Sequence, residues 1–327
     1  MSEAGRIEVA KHGAPEVLRW RAEKIPPPAP DEIRVRHTAV GVNFIDVYFR
    51  TGLYPPPQLP FTPGLEAAGV VEEVGAEAKN FSPGDRVAYA SAPLGAYCEM
   101  RNLPAARAVK IPGGIDDATA AAVMLKGMTA HYLLHDTYCV RPGDAILFHA
   151  AAGGVGLIAC QWAKHLGARV IGTAGSEEKA ELAREHGCEH VIDYTRDDWP
   201  KRVREITGEK GVPVVYDSVG QATFAGSLDC LRARGTMVSF GQSSGAVAPF
   251  DIGILNAKGA LFLTRPSLAH YTATSEELAH AANAVFDVVA SGAVRIHINQ
   301  RYPLKNAADA HRDLEARRTT GCSVLLP

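Results

Sequence analysis

A glycine-rich loop, set between an apolar strand and a helical stretch, constrains this chain most. Residues Ala145-Ile146-Leu147-Phe148-His149 lead into Ala150-Ala151-Ala152-Gly153-Gly154-Val155-Gly156, and a helical pattern follows over 155–166. An apolar run without polar alternation reads as a strand covered on both faces. Such a strand needs helices above and below it, and the sequence supplies them. Arg169-Val170-Ile171-Gly172-Thr173 is the next strand; Ser176 is placed to cap a helix reaching His186, and Gly187 follows it. Then come Val191-Ile192-Asp193, a helix over 199–207, Pro213-Val214-Val215-Tyr216-Asp217, a helix over 221–232 and Thr236-Met237-Val238-Ser239-Phe240. This β-α-β-α succession predicts an α/β fold with a doubly wound parallel sheet.

The loop itself has a chemical reading. Aligned to GxGxxG it gives Ala151-x-Gly153-x-x-Gly156, with alanine in place of the first glycine. A bare Gly153 lets the backbone approach a pyrophosphate, Gly156 lets the helix pack on the strand, and the helix N-terminus offers free N–H groups to an anion. Its place between a strand and a helix points to dinucleotide binding rather than to a structural tight turn. The end of the second strand decides which dinucleotide. An NAD enzyme usually carries an acid there for the ribose 2′-hydroxyl. Here the strand runs into Thr173-Ala174-Gly175-Ser176, and Glu177 and Glu178 fall one step later, where they suit the first helical turn. Gly175 and Ser176 leave room for a 2′-phosphate, with the Ser176 hydroxyl and the Lys179 ammonium to bind it and Tyr194 at the same corner. The expected cofactor is therefore NADPH.

The rest of the chain bounds the answer. Its 327 residues suffice for about two domains. Residues 1–125 are strand-rich, with short segments such as Glu32-Ile33-Arg34-Val35-Arg36-His37 and 67–74 split by Pro and Gly clusters. Ile25-Pro26-Pro27-Pro28-Ala29-Pro30 reads as a connector between strands. The tail from 268 holds helices over 275–291 and 307–317 and strands over 301–304 and 323–326, and is placed to return to the first domain. A net charge of −2 counts against nucleic-acid binding, which needs a basic field. No segment offers ~20 uncharged apolar residues for a membrane span, and the start lacks the apolar stretch of a signal peptide. Six cysteines spread singly along the chain exclude CxxC zinc knuckles and suit a reducing, cytoplasmic compartment.

Several segments carry a family likeness. Gly41-Val42-Asn43-Phe44-Ile45-Asp46-Val47-Tyr48-Phe49-Arg50-Thr51-Gly52-Leu53-Tyr54-Pro55, Pro63-Gly64-Leu65-Glu66-Ala67-Ala68-Gly69-Val70-Val71 and Lys126-Gly127-Met128-Thr129-Ala130 are among them. So are 148–164, Val214-Val215-Tyr216-Asp217-Ser218-Val219-Gly220, Val238-Ser239-Phe240-Gly241-Gln242-Ser243-Ser244-Gly245 and Leu263-Thr264-Arg265-Pro266-Ser267. Together they resemble the zinc-independent quinone oxidoreductases of the medium-chain dehydrogenase/reductase superfamily, the group that includes zeta-crystallin, and above all the bacterial NADPH:quinone reductases. The resemblance spans nearly the whole chain. It implies a Rossmann-type NADPH-binding domain, 126–266, inserted in a chaperonin-10-like β-rich catalytic domain, 1–125 plus 267–327, with the active site in the cleft between them and a homodimeric assembly. Phe44, Ile45, Asp46, Val47 and Tyr48 should face the nicotinamide, and Lys126 and Thr129 should also bind the cofactor. Tyr132, Gly153, Gly154 and Val155 should flank the phosphates, and Gly175, Ser176, Lys179 and Tyr194 the adenosine phosphate. Ser218, Phe240, Gly241, Gln242, Ser243, Arg265, Pro266 and Ser267 should line the rest of the groove, and Arg317, on the last helix, matches a family arginine that reaches back to the cofactor.

The metal ligands of the zinc members are replaced. Asn43 stands where they carry Cys, and Gly64-Leu65-Glu66 where they carry Gly-His-Glu, so a catalytic zinc finds neither thiolate nor imidazole there. His131, His135 and Cys139 share a helical spacing, and His186 and His190 flank Gly187-Cys188, but packing and helix-end charge account for both sets. Quinone reduction needs an oriented hydride donor and stabilisation of the developing oxyanion. Asn43, Tyr48 and Tyr54 are the candidates for that second part, the tyrosines either as hydrogen-bond donors or as aromatic lining. Asp46, a buried acid in an apolar segment, is placed to orient Asn43. Lys126 either holds a phosphate or a carbonyl or simply begins a helix. Competing functions are reduction of an enone or alkenal by the same hydride addition, and a non-enzymatic structural or nucleic-acid-binding role.

Overall fold

A computed structural model describes residues 2–327. The chain opens with β1 (Ser2–Val9), β2 (Leu18–Ile25), β3 (Glu32–Val42), α1 (Phe44–Thr51), β4 (Glu66–Val74), β5 (Arg86–Ala90), β6 (Met100–Pro104), β7 (Val109–Lys110) and α2 (Asp117–Tyr132). Next come β8 (Ala145–Phe148), α3 (Gly154–His165), β9 (Arg169–Ala174), α4 (Glu177–Glu185), β10 (Cys188–Asp193), α5 (Trp199–Ile206) and β11 (Val212–Asp217). They are followed by α6 (Phe224–Cys230), β12 (Leu231–Ser239), α7 (Gly253–Ala257), β13 (Phe262–Thr264) and α8 (Leu268–Tyr271). The chain continues through α9 (Ser275–Ala290), β14 (Ile298–Pro303), α10 (Ala307–Glu315) and β15 (Cys322–Leu326). Two compact units result. One takes the chain up to Met128 with Thr272–Ala290 and Ile296–Pro327; the other takes Thr129–Tyr271 with Ser291–Arg295.

In the second unit the described residues form one parallel sheet in the order β10-β9-β8-β11-β12-β13. All six residues of β11 are buried, so its apolar run before Asp217 follows from cover on both faces. Leu147, Ile171, Val215 and Met237 from the sheet, with Leu261 just before β13, pack with Val203, Phe224 and Leu228 from α5 and α6. Because β8 lies in mid-sheet beside β11, the strand order reverses there. In such sheets the ligand crevice opens at that point, outside the carboxyl ends of the strands.

In the first unit the described residues form a seven-stranded sheet, β14-β15-β3-β4-β5-β7 with β6 also on β3, and the hairpin β1-β2. Its core joins Ile33, Val35 and Val40 of β3, Ala67 and Val71 of β4, Val87 and Tyr89 of β5, and Leu325 of β15.

Three local expectations are corrected. Lys126 does not begin a helix: α2 starts at Asp117, where the Asp116 carboxylate accepts the Thr119 N–H at 2.8 Å, so Lys126 sits inside it and is buried. The helix expected over 221–232 spans only Phe224–Cys230, because the turn before it is built on the Asp217 carboxylate and β12 already begins at Leu231. Arg317 is not on the last helix. That helix stops at Glu315, and Arg317 lies past its end with a left-handed φ of 56°.

Candidate active site

The residues expected at a cofactor in the second unit cluster at the carboxyl edge of the parallel sheet. Gly153, Gly154 and Val155 follow β8, Gly175 and Ser176 follow β9, and Tyr194 follows β10. Ser218 follows β11, Phe240 to Ser243 follow β12, and Arg265 to Ser267 follow β13. After β8, Ala150 turns left-handed with φ 54°, its carbonyl accepts the Gly153 N–H at 2.9 Å, and α3 begins at Gly154. A side chain at Gly156 would put its Cβ 2.4 Å from the Ala150 carbonyl oxygen and 2.6 Å from that of Ala151. The glycine is thus demanded by close packing of helix on loop. The first turn of α3 carries no acid, so its unpaired N–H groups and dipole remain suited to an anion.

Two further groups form beside this loop. After β9, the Ser176 hydroxyl accepts the Lys179 backbone N–H at 3.3 Å and caps α4. A Cβ at Gly175 would come 2.5 Å from the Tyr194 hydroxyl, so Tyr194 lies against the turn that carries Gly175, Ser176 and Lys179. No carboxylate ends β9, and Asp193 of β10 is tied to Thr195. After β11, Ser218 accepts the Ser243 N–H at 3.1 Å and lies against Gly241, where a Cβ would meet the Ser218 oxygen at 2.6 Å. The Arg265 guanidinium donates to the Ser239 carbonyl at 2.9 Å, and Phe240 packs on Phe148. Tyr132 stacks on Tyr271 with ring centroids 4.4 Å apart. A pyrophosphate-bearing dinucleotide fits this donor set.

The first unit builds its own cluster around Asn43, the residue that precedes α1. The Asn43 side-chain amide donates to Glu66 Oε2 at 2.7 Å, and its backbone N–H donates to Asp46 Oδ2 at 2.9 Å. Glu66 is fully buried and accepts twice more, from the Lys126 ammonium at 3.1 Å and the Leu125 N–H at 2.6 Å. Burial works against the Lys126 charge, but Glu66 beside it prevails and raises its pKa. Asp46 is also fully buried. Desolvation pushes its carboxyl up to about 7, against the opposing hydrogen bonds from Asn43 and Tyr97 and the nearby Lys126 charge. Its Oδ1 has no hydrogen-bond partner. Downstream on α1, Tyr48 meets Phe44 at 5.4 Å and Tyr54 edge-on at 5.1 Å.

Sequence reasoning missed how α1 is held. The Tyr97 hydroxyl donates to Asp46 Oδ2 at 2.9 Å and lies 3.1 Å from His311 Nε2. His311 Nδ1 meets the Arg50 guanidinium at 3.2 Å, and Arg50, only 1% exposed, also grips both Glu315 oxygens. A buried arginine in an otherwise apolar helical stretch was the available signal.

Zinc does not fit this cluster. Leu65 offers no ligand atom, Asn43 offers a neutral amide in place of a thiolate, and both Glu66 oxygens are taken, one by a cation. Among the described residues, no group of three or more His, Cys, Asp and Glu side chains is arranged to hold a metal. His131 and His135 pack on Trp162, His186 ends α4, and His190 lies in β10.

A Rossmann-type sheet joined to a chaperonin-10-like β unit defines a medium-chain dehydrogenase/reductase. Residues 29–144 match the alcohol dehydrogenase GroES-like domain, and 154–287 the domain described as zinc-binding dehydrogenase. The chain is 55% identical to quinone oxidoreductase of Pseudomonas aeruginosa, over 99% of this chain and 100% of that one. It is 47% identical to 2-haloacrylate reductase of a Burkholderia species, over 98% of each. The crystal structure of Escherichia coli quinone oxidoreductase complexed with NADPH superposes with a TM-score of 0.98 at 53% identity, covering 99% of this chain and 100% of that one. The chain belongs to the quinone oxidoreductase family.

Proposed function

We propose that the protein is an NADPH:quinone oxidoreductase that transfers hydride without zinc. The observation that carries the reading is the corner after β9. Gly175, Ser176, Lys179 and Tyr194 gather there, and no carboxylate ends the strand to meet a ribose 2′-hydroxyl. NADPH, when bound, supplies the hydride. Lys179 and Ser176 hold its 2′-phosphate, and Gly153, Gly154 and Val155 its pyrophosphate. Phe44, Ile45, Val47, Thr129, Tyr132, Pro266, Ser267 and Arg317 complete the cofactor site. Asn43 presents its amide, oriented by Glu66 and Asp46, while Tyr48 and Tyr54 receive the quinone ring and donate to the oxygen that becomes anionic. Lys126 serves Asn43 through Glu66.

The catalytic domain comprises 1–125 plus 267–327, and the NADPH-binding domain 126–266. The protein is a cytoplasmic homodimer. The free thiols accord with that compartment, and no helix among the described residues is long and apolar enough to cross a membrane. The edge strand β13, with Phe262 61% exposed, offers the dimer contact.

A second reading, reduction of a conjugated acid or carbonyl, draws support from the 2-haloacrylate reductase relative, since hydride addition to an activated alkene uses the same donor geometry. One assay decides. The near-ultraviolet absorbance of NADPH is followed with 1,2- and 1,4-quinones, alkenals, 2-haloacrylates and no acceptor. Rapid oxidation with quinones is expected. Turnover confined to alkenes replaces the first reading with the second, and NADPH binding without turnover defeats both.

A further inference from the structure

We propose that His149, Thr173 and Ser227 are positioning residues for the dinucleotide loop, wired to it through one chain of hydrogen bonds whose polarity Asp217 sets. The inference deepens the NADPH reading above and rests on it. His149 is the residue between β8 and the loop, and it is fully enclosed. Its Nδ1 lies 3.0 Å from the Thr173 hydroxyl on β9, and its Nε2 3.0 Å from the Ser227 hydroxyl on α6. Trp199 of α5 closes over the ring edge-on at 4.8 Å.

Every proton in this chain is determined. The Asp217 carboxylate can only accept. It takes the Val219 and Gly220 N–H groups, the Thr223 hydroxyl and, at 3.0 Å, the Ser227 hydroxyl. Since Ser227 spends its single proton on Asp217, its oxygen must accept from His149 Nε2–H. His149 Nδ1 is then a bare lone pair and takes the proton of Thr173. The Thr173 oxygen is left to face the Ala150 N–H, 3.4 Å away. Burial keeps the imidazole neutral by lowering its pKa, which this polarity requires.

The end point is the useful part. Ala150 is a non-glycine residue in the left-handed region, a conformation that persists only where the surroundings impose it. Its carbonyl both accepts the Gly153 N–H and lies under Gly156, so the angle at Ala150 sets where the N–H groups of α3 point. The wire ties that angle to the ends of β8 and β11, the strands that flank the reversal of strand order, and to β9 beside them.

Thr173→Val removes one hydroxyl at nearly constant shape. We expect it to raise the dissociation constant of NADPH about tenfold, read by fluorescence titration, and Thr173→Ser to restore it within about twofold, as a lost hydrogen bond of this kind implies. Reduced nicotinamide riboside, which carries no phosphate, should bind Thr173→Val and Thr173→Ser like the wild type. Ser227→Ala is the second variant if Thr173→Val does not fold. Nitrogen-15 NMR of the cofactor-free protein should find His149 protonated at Nε2 and not at Nδ1. Wild-type NADPH affinity in Thr173→Val and Ser227→Ala, an equal loss for the riboside, or the opposite tautomer overturns the inference. Absence of NADPH binding by the wild type instead defeats the cofactor reading, and this inference with it.

Discussion

Lys179 separates two cofactors that differ by one phosphate. Lys179→Ala should raise the KM for NADPH roughly tenfold or more, the scale of a lost charge-assisted hydrogen bond, and leave that for NADH unchanged. An unaltered NADPH/NADH preference removes Lys179 from the site. Tyr48→Phe should lower turnover with quinones about tenfold, close to 1.4 kcal/mol of transition-state stabilisation, if the hydroxyl meets the developing charge. Full turnover assigns Tyr48 to packing against Phe44 and Tyr54. Asp46 makes a prediction about pH. Its folded pKa of about 7 lies above the ordinary carboxylate value, so its contribution to stability is complete in acid and is lost as pH rises through about 7. His311 and His37 act oppositely. Burial lowers them to about 3 and about 4, so their cost appears as pH falls below the ordinary imidazole value. Asp46→Asn keeps an acceptor for Asn43 and Tyr97 but cannot ionise. The variant's Tm should therefore decline less than that of the wild type between about pH 5 and about pH 8. A parallel decline in both proteins refutes the assignment. These buried groups were only half legible in the sequence. Asp46 stood out as a buried acid in an apolar segment, but His149, His311 and Thr173 gave no sign, because their partners are distant in the chain.

At the scale of elements, the dinucleotide loop depends on contact between α3 and the turn before it. Gly156→Ala would drive a Cβ into two backbone carbonyls that no side-chain motion can clear. A loss of roughly 1–3 kcal/mol is expected from such overpacking, with weakened NADPH affinity. Calorimetry and titration check both, and an unchanged Tm means that the loop can yield. The parallel sheet was readable in advance because its strands are apolar throughout and its helices end in recognisable caps such as Ser176 and Gly187. The start of α2 was not. Asp116 caps a helix so uniformly apolar around Ala120 to Met124 that no periodicity marks it, and Lys126 then looked like a beginning. Similarly, the anchoring of α1 by α10 rests on Arg50 and Glu315, a pair that no local pattern joins.

At the scale of the whole molecule, β13 leaves Phe262 and Leu263 on an unpaired edge. Phe262→Asp should convert the expected dimer to monomer in sedimentation velocity with secondary structure retained, and a dimer unmoved by it places the interface elsewhere. The sheet order of the first unit has a separate consequence for biosynthesis. β15 lies inside that sheet, between β14 and β3, with Val324 opposite Gly41. During vectorial synthesis β6 can cover that side of β3 early over Glu32–Arg36, but Val40, Gly41 and Val42 stay exposed there for nearly the whole time of translation, with β15 still unmade. The second unit, encoded in the middle, already has every strand of its own sheet. Order in the finished protein thus runs against order of manufacture. Folding of the first unit must await a long-range closure, and chaperone dependence should concentrate on the half of the molecule that the ribosome begins first.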